Sequence, residues 1–571
     1  LISAVPLYFF LYFAVCIGLT YIKLVKNKFL KESNSKIIGG IFMSKILIKN
    51  GTVIDGSRSA RFQADVLVEG ERIVKIGKID EAADRVIDAT GKIVAPGFID
   101  THSHSDLKVL LEPFVEPKLR QGITTEVLGQ DGISMAPLPK EYVSSWRKNL
   151  AGLDGDSDEL GWDWENTDNY LKLIEKKGCT PNESYLVPHG NIRMEAMGLE
   201  ARVATDEELE KMKEITRREM EAGAAGLSTG LIYIPCAYSD TREMIEICKV
   251  AAEYDRPLVI HQRSEADTMI DSMNEVITIA KESGVKIHFS HFKICGKNNW
   301  HLIKDILALL DKCKEEGIEI SYDQYPYVAG STMLGVIIPP WAHAGGTDKL
   351  VERLGNPADR ERMKHDIING IPGWDNFIDF AGFDGIYVTS VKTKANEDCI
   401  GKNLLEIAEL KGKDKFDAVF DLLKEEENAV GMYDYYGKDE HVVTFLTREE
   451  SNVCTDGLLA GKPHPRVYGS FPRVIGKFVR EMKALTLEEA IYKMTNKPAK
   501  TFKLEDRGLL KEGYFADIVI FDENTTIDKG TFVDPIQNPE GISHVMVNGV
   551  LAIDNYEATK KLSGKVLRIK K

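Results

Sequence analysis

The sequence predicts an α/β protein in which a (β/α)8 barrel with an inserted lid is joined to a small β-sandwich built from both chain ends. Three features predict it. Between Gly97 and about Thr501, short apolar runs alternate with amphipathic helical stretches, the texture of parallel strands joined by crossover helices. Both chain ends instead carry short β-rich runs between turn residues, too few at either end to close a core alone. More than a hundred residues separate Tyr322 from Asn452, far more than a crossover needs, so an insertion is expected there.

The chain has 571 residues, 43% hydrophobic and 28% charged, which is ordinary for a folded protein and long enough for more than one domain. A formal net charge of -15 with no basic cluster would repel a phosphate backbone, so nucleic acid is not an expected partner. The eight cysteines are scattered without paired spacing, which fits a reducing compartment and a cytoplasmic location.

Residues 1–42 read differently from the rest. Residues 1–22 carry no charge, are long enough to cross a bilayer, and are followed by Lys23, Lys26, Lys28 and Lys31. That order suits an N-terminal membrane anchor with a cytoplasmic catalytic domain, not a secretory signal, whose charge precedes its apolar core. The alternative is translation starting at Met43, directly before a strand-like run. Contact with a membrane is expected only if residues 1–22 are truly expressed.

From residue 46 the runs 46–51, 64–70 and 72–77 are strand-like, and 515–521, 543–549 and 565–569 repeat the texture at the far end. Residues 44–97 and 502–571 are therefore expected to form the composite sandwich, with a barrel over 98–501. The candidate barrel strands are 98–104, 123–128, 184–188, 226–229, 257–261, 286–291, 318–323 and 452–456. Helix signals lie between them. Thr205-Asp206-Glu207-Glu208 is a capping box that leads into Leu209, Met212, Ile215 and Met220 and stops at Gly223. The lid is expected within 340–440.

In such a barrel the site lies at the C-terminal ends of the strands. His102 and His104 end the first candidate strand and, with a side-chain period of two, project from one face as half a metal site. A His-x-His pair alone is more often a pair of surface or core histidines. Here Asp131 follows the second strand, and His189, His261, His291 and Asp456 end the third, fifth, sixth and eighth. Five of twelve histidines at such positions point to a metal centre. Among them His189 reads as structural, His288 packs under the sheet, and Asp456 before Gly457 also suits a turn.

The sequence resembles the N-acyl-D-amino-acid deacylase (D-aminoacylase) family of the amidohydrolase superfamily. The motifs that carry the resemblance are Ala95-Pro96-Gly97-Phe98-Ile99-Asp100-Thr101-His102-Ser103-His104, the stretches 121–125, 223–231 and 325–332, His261-Gln262-Arg263-Ser264-Glu265, Ser290-His291-Phe292-Lys293, Thr455-Asp456-Gly457 and His464-Pro465-Arg466. The resemblance implies that His261 and His291 hold a tight zinc, with His102, His104 and Asp456 forming a second, weaker or vacant position. Where similar proteins carry a cysteine ligand, this chain has Asp131, which can ligate through oxygen and change metal preference. The same resemblance places Arg466 and Lys293 at a substrate carboxylate. Ser331 is a further candidate substrate contact, and Arg263, two residues beyond His261, is a weaker candidate that would touch either substrate or a ligand residue.

What the resemblance implies is zinc-dependent hydrolysis of the amide bond of a small N-acyl-D-amino acid. Asp456 is expected to move a proton from the attacking water to the leaving nitrogen. A cyclic amidase or dipeptidase of the same superfamily is disfavoured because no lysine stands at the fourth strand. A non-catalytic scaffold is disfavoured because the ligand residues are kept.

Overall fold

The computed structural model describes residues 44–570, so the proposed anchor at residues 1–22 lies outside the described residues. Among the described residues no helix is long and apolar enough to cross a membrane. All eight candidate barrel segments form strands: Phe98–Asp100, Ile123–Leu128, Asn182–Pro188, Gly226–Gly230, Leu258–His261, Ile287–Phe289, Ile320–Gln324 and Ser451–Val453. Each pairs in parallel with the next, in chain order, into one sheet. The strands are almost wholly buried, as a parallel sheet covered on both faces must be. The crossover helices behave as their sequence requires. In Asp206–Glu221 the capping box forms, with Thr205 Oγ1 accepting from Glu208 N and Glu208 Oε2 accepting from Thr205 N.

The barrel closes without a ladder between the first and eighth strands among the described residues. Closure happens one step beyond their ends, where Ser103–His104 pairs in parallel with Gly457–Leu458 and Asp456 N donates to His102 O at 2.8 Å. A buried cation sutures this seam. Lys118, fully buried, donates to Asp100 Oδ2 at 2.7 Å, Ser103 Oγ at 2.7 Å and Thr455 Oγ1 at 2.8 Å, and lies 2.9 Å from Glu126 Oε1. Asp100 in turn accepts from the Thr455 backbone N–H and hydroxyl. Burial pulls the Lys118 pKa down, but Asp100 and Glu126 outweigh it and lift it above the ordinary lysine value, so the ammonium stays charged.

The two chain ends meet as expected. Ile93–Pro96 pairs antiparallel with Ile518–Phe521 and joins both ends into one nine-stranded sheet. One face encloses Ile48, Val66, Val94, Ile518, Ile520 and Met546, while Ile93, Ala95, Val519 and Phe521 pack on the barrel side with Phe98 and Phe471. One expected sandwich strand goes elsewhere. Residues 565–569 leave the sheet and run along the barrel, where Val566 bridges Glu183 and Ile569 N donates to Gly223 O. The insertion also starts earlier than expected, at the strand Ala329–Met333, which pairs antiparallel with Gly431–Tyr435, itself paired with Ile386–Ser390. Around this small sheet the insertion has a core of its own, including Leu350, Met363, Leu404, Phe420 and Met432.

Removing the suture should be costly. Lys118→Ala leaves Asp100 and Glu126 as buried, unpaired carboxylates, so urea unfolding should show a loss of about 3 to 5 kcal/mol. A loss below about 1 kcal/mol would mean that the seam closes without this cation.

Candidate metal centre

Six side chains from five strand ends converge above the barrel: His102, His104, Asp131, His261, His291 and Asp456, all buried. Three of them, Asp131, His291 and Asp456, hold left-handed backbone conformations at φ +55°, +34° and +49°. Such conformations cost non-glycine residues of the order of 1 to 3 kcal/mol each and persist where neighbours enforce them. The enforcing contacts are specific. Gly129 N donates to Asp106 Oδ1 and Gly132 N to Ser228 Oγ on either side of Asp131, and His291 N donates to Asp323 Oδ1 at 2.5 Å. Gly230, on the fourth strand, leaves room for the Asp131 loop, since a Cβ there would lie 2.5 Å from Asp131 O.

The spacing of these atoms fits a metal ion. His102 Nε2 and His104 Nε2 lie 3.7 and 3.5 Å from Asp131 Oδ2, and 3.6 and 3.4 Å from Asp456 Oδ1. These distances are too long for hydrogen bonds. Four ligands at roughly 2.1 Å from one tetrahedral ion would stand about 3.4 Å apart. Both ring nitrogens of His102, together with His104 Nε2 and Asp131 Oδ1, are buried without a hydrogen-bond partner. Buried polar atoms left in this way are costly unless a further group completes them. A second set, His261, His291 and Asp131, lies beside the first, with His291 Nε2 3.7 Å from Asp131 Oδ1 and 2.9 Å from His261 Nδ1.

The charges agree with that reading. Burial pushes Asp131 up, but His102, His104 and His291 hold it well below the usual carboxylate range. Burial likewise opposes Asp456, and Arg466, His102 and His104 outweigh it, so this carboxylate also stays ionised. Burial drives His261 down to about 3, against the pull of Glu265, which leaves a neutral imidazole ready to ligate. His291 is lifted to about 9 because Glu265 and Asp131 overcome burial and Lys293, and His104 is lifted by Asp131 and Asp154 against burial. A bound cation would take over the charge balance that these protons supply.

Around the cage sit residues that the motifs did not assign. Asp154 stands 3.1 Å from His104 Nδ1. Asp323, at the end of the seventh strand, meets His288 Nε2 at 2.9 Å and accepts from Thr101 Oγ1. Glu265 accepts from Lys293 Nζ at 2.6 Å, and its other oxygen is 3.4 Å from His291 Nδ1. The one available signal for Asp323 was its strand-end position. Asp154 lies in an acidic stretch, 154–158, that reads as a solvated loop.

The remaining expected residues divide. Lys293 and Ser331 line the cavity beside the cage. Arg466 is fully buried, pairs with Asp456 Oδ2 at 2.8 Å, donates to Ser331 O at 2.8 Å and stacks on the Tyr325 ring. Arg263 is not part of the site. Its guanidinium turns away to Glu275 at 2.9 Å and to the Ala237 and Ser239 carbonyls, because the strand ends at His261 and its alternation no longer governs two residues on. His189 is held outside the cage by Thr229 and Glu243. Glu126 accepts from Ser103 and Ser105 and serves the Lys118 suture.

The Arg466–Asp456 contact gives a pH prediction. A carboxylate accepts a proton only when ionised, and at Asp456 the largest influence holding the pKa down against burial is Arg466. In Arg466→Met burial regains control and the pKa rises. The acid limb of kcat should therefore move to higher pH, and an unmoved limb would assign it to another group.

The amidohydrolase family profile matches residues 85–291 and 455–553. A D-aminoacylase from Alcaligenes xylosoxydans xylosoxydans is 33% identical over 524 residues, covering 91% of this chain and 97% of that protein. An N-acyl-D-glutamate deacylase from the same organism is 35% identical over 526 residues, 92% of this chain and 96% of that protein. Among solved structures, the N-acyl-D-glutamate deacylase of Bordetella bronchiseptica, bound to zinc and a phosphonate mimic of the tetrahedral intermediate, superposes with a TM-score of 0.79 at 33% identity. That match covers 92% of this chain and 99% of the other.

Proposed function

The chain belongs to the amidohydrolase family, among the N-acyl-D-amino-acid deacylases, and from that premise we propose that it is a zinc-dependent hydrolase of N-acyl-D-amino acids. The products are a carboxylate and a free D-amino acid. The observation that carries this reading is the buried cage of imidazole and carboxylate atoms at ligand spacing with Arg466 against one of its carboxylates.

Zinc bound in such a cage supplies a Lewis acid for the scissile carbonyl and acidifies water towards about pKa 7. The protein's own groups supply the rest. Asp456, kept ionised by Arg466, accepts a proton from the attacking water and returns it to the leaving nitrogen. Lys293 lines the cavity with its ammonium, and the Arg466 guanidinium lies directly behind two lining residues, Asp456 and Ser331, and the pair suits the α-carboxylate that every N-acyl amino acid presents. In the structure each cation already has a carboxylate partner, Asp456 and Glu265, so both are positioned before substrate arrives. Burial opposes the Lys293 ammonium, and Glu265 more than restores it, so it remains charged. The insertion contributes Phe377, Phe380, Tyr436 and Asp434 to the wall facing the cage, which limits water around the reacting bond. We place the protein in the cytoplasm, since the seven described cysteines are all free and buried and call for no oxidising compartment.

Configuration is the sharpest test of this function. Zinc-loaded protein assayed on matched N-acetyl-D- and N-acetyl-L-amino acids should show kcat/KM at least about a hundredfold higher for the D series, a difference of about 2.7 kcal/mol in transition-state binding. Equal rates for both series, or cleavage of cyclic amides in preference to both, would assign the site to another hydrolase.

A further inference from the structure

We propose that Asp434 selects the substrate's side chain, so that this protein prefers N-acyl-D-amino acids whose side chain ends in an N–H or O–H donor and discriminates against those ending in a carboxylate. The inference rests on the reading of the cavity as the binding site of an N-acyl-D-amino acid and names a substrate class within it. Asp434 lies on the insertion strand Gly431–Tyr435, lines the cavity beside the cage and is 2% exposed. Its Oδ2 is buried without a hydrogen-bond partner. Opposite it in the ladder stands Gly330, where a Cβ would lie 3.3 Å from Asp434 Oδ1, so a larger residue would crowd the carboxylate.

The other polar groups of this wall are already engaged. Tyr233 Oη shares a hydrogen bond with Thr332 Oγ1 at 2.8 Å, Tyr436 Oη donates to Tyr325 Oη at 2.9 Å, and Ser331 Oγ donates to the Met432 carbonyl at 2.7 Å. Asp375, the second insertion carboxylate in the wall, accepts from Ser264 Oγ at 2.6 Å and from Glu265 N at 2.7 Å. Among the described residues that line the cavity outside the cage, Asp434 Oδ2 is therefore the one buried side-chain nitrogen or oxygen left open to a ligand. A buried acceptor in that state is costly, and a donor completes it. Burial raises the Asp434 carboxyl to about 7 against the pull of Lys293 and Arg466. A donor on a bound side chain would favour its ionised form.

A side-chain carboxylate meets the opposite conditions. Lys293 is the one lysine or arginine among the described residues lining the cavity; Glu265 holds it at 2.6 Å, and with Arg466 it serves the α-carboxylate. A second carboxylate would find no cation there. It would face Asp434 and Asp375, and like charges in a desolvated wall repel strongly.

The test is binding of phosphonamidate analogues, in which tetrahedral phosphorus replaces the scissile carbonyl, to zinc-loaded protein by calorimetry. Analogues of N-acetyl-D-glutamine, N-acetyl-D-norleucine and N-acetyl-D-glutamate offer a donor, an apolar end and a carboxylate on side chains of nearly equal length. The glutamine analogue should bind at least about tenfold tighter than the norleucine analogue and about a hundredfold tighter than the glutamate analogue. Asp434→Asn, which keeps the shape and loses the charge, should narrow the gap between glutamine and glutamate at least about tenfold. Asp434→Leu, which also loses the acceptor, should abolish the preference for glutamine over norleucine. Glutamate or norleucine bound as tightly as glutamine, no binding of any analogue, or gaps that neither substitution moves would overturn the proposal. If circular dichroism shows that one variant does not fold, the other carries the comparison. None of these readings involves turnover. A protein that cleaves N-acyl-D-amino acids yet binds the three analogues alike keeps the deacylase function and loses this inference. One that orders the analogues as expected yet cleaves none of the parent amides keeps the side-chain preference and loses the hydrolytic assignment.

Discussion

The constraint on which this molecule depends is the burial of two carboxylates and four imidazoles at the ends of five strands, close enough to share ions and, apart from the 2.9 Å contact of His261 with His291, too far apart to satisfy one another. In a dry pocket such a set is costly without a cation, because each unpaired polar atom forfeits its hydration. The surroundings are organised to hold it. Asp323 fixes the His291 backbone, Asp154 stands on the outer nitrogen of His104, and Arg466 occupies the second oxygen of Asp456. Each contact leaves one ligand atom pointing inward.

The same demand reaches into the fold. The turn carrying His102 and His104 and the turn carrying Asp456 sit on opposite sides of the seam where the barrel's first and last strands fail to form a ladder. The Lys118, Asp100 and Thr455 cluster ties these turns together, and the short pairing of Ser103–His104 with Gly457–Leu458 sets their register. Closure of the barrel and assembly of the cage are thus one structural event. The strained conformations of Asp131, His291 and Asp456 concentrate in this region, as strain does where function over-determines geometry.

Much of this was legible in the sequence. Eight apolar runs ending in polar residues located the strands and, through them, the six cage residues, because parallel strands bury both faces and leave chemistry to their ends. What local pattern could not show was which side chains meet from distant segments. Arg263 shares a motif with His261 but lies beyond the strand, where alternation no longer fixes direction, and it found Glu275 on the following helix. Residues 565–569 alternate like a sandwich strand, yet alternation names no partner, and the run settled beside Glu183 on the barrel. Asp154 and Lys118 gain their roles purely from tertiary approach, to His104 and to the seam.

The metal cage is built only of nitrogen and oxygen donors, and X-ray absorption at the zinc edge tests this most directly. The seven described cysteines stand outside all three ligand groups. The expected spectrum shows a first shell of nitrogen and oxygen at about 2.0 to 2.2 Å with the outer scattering of imidazole rings. A sulfur shell at about 2.3 Å would contradict it and move the metal to a cysteine.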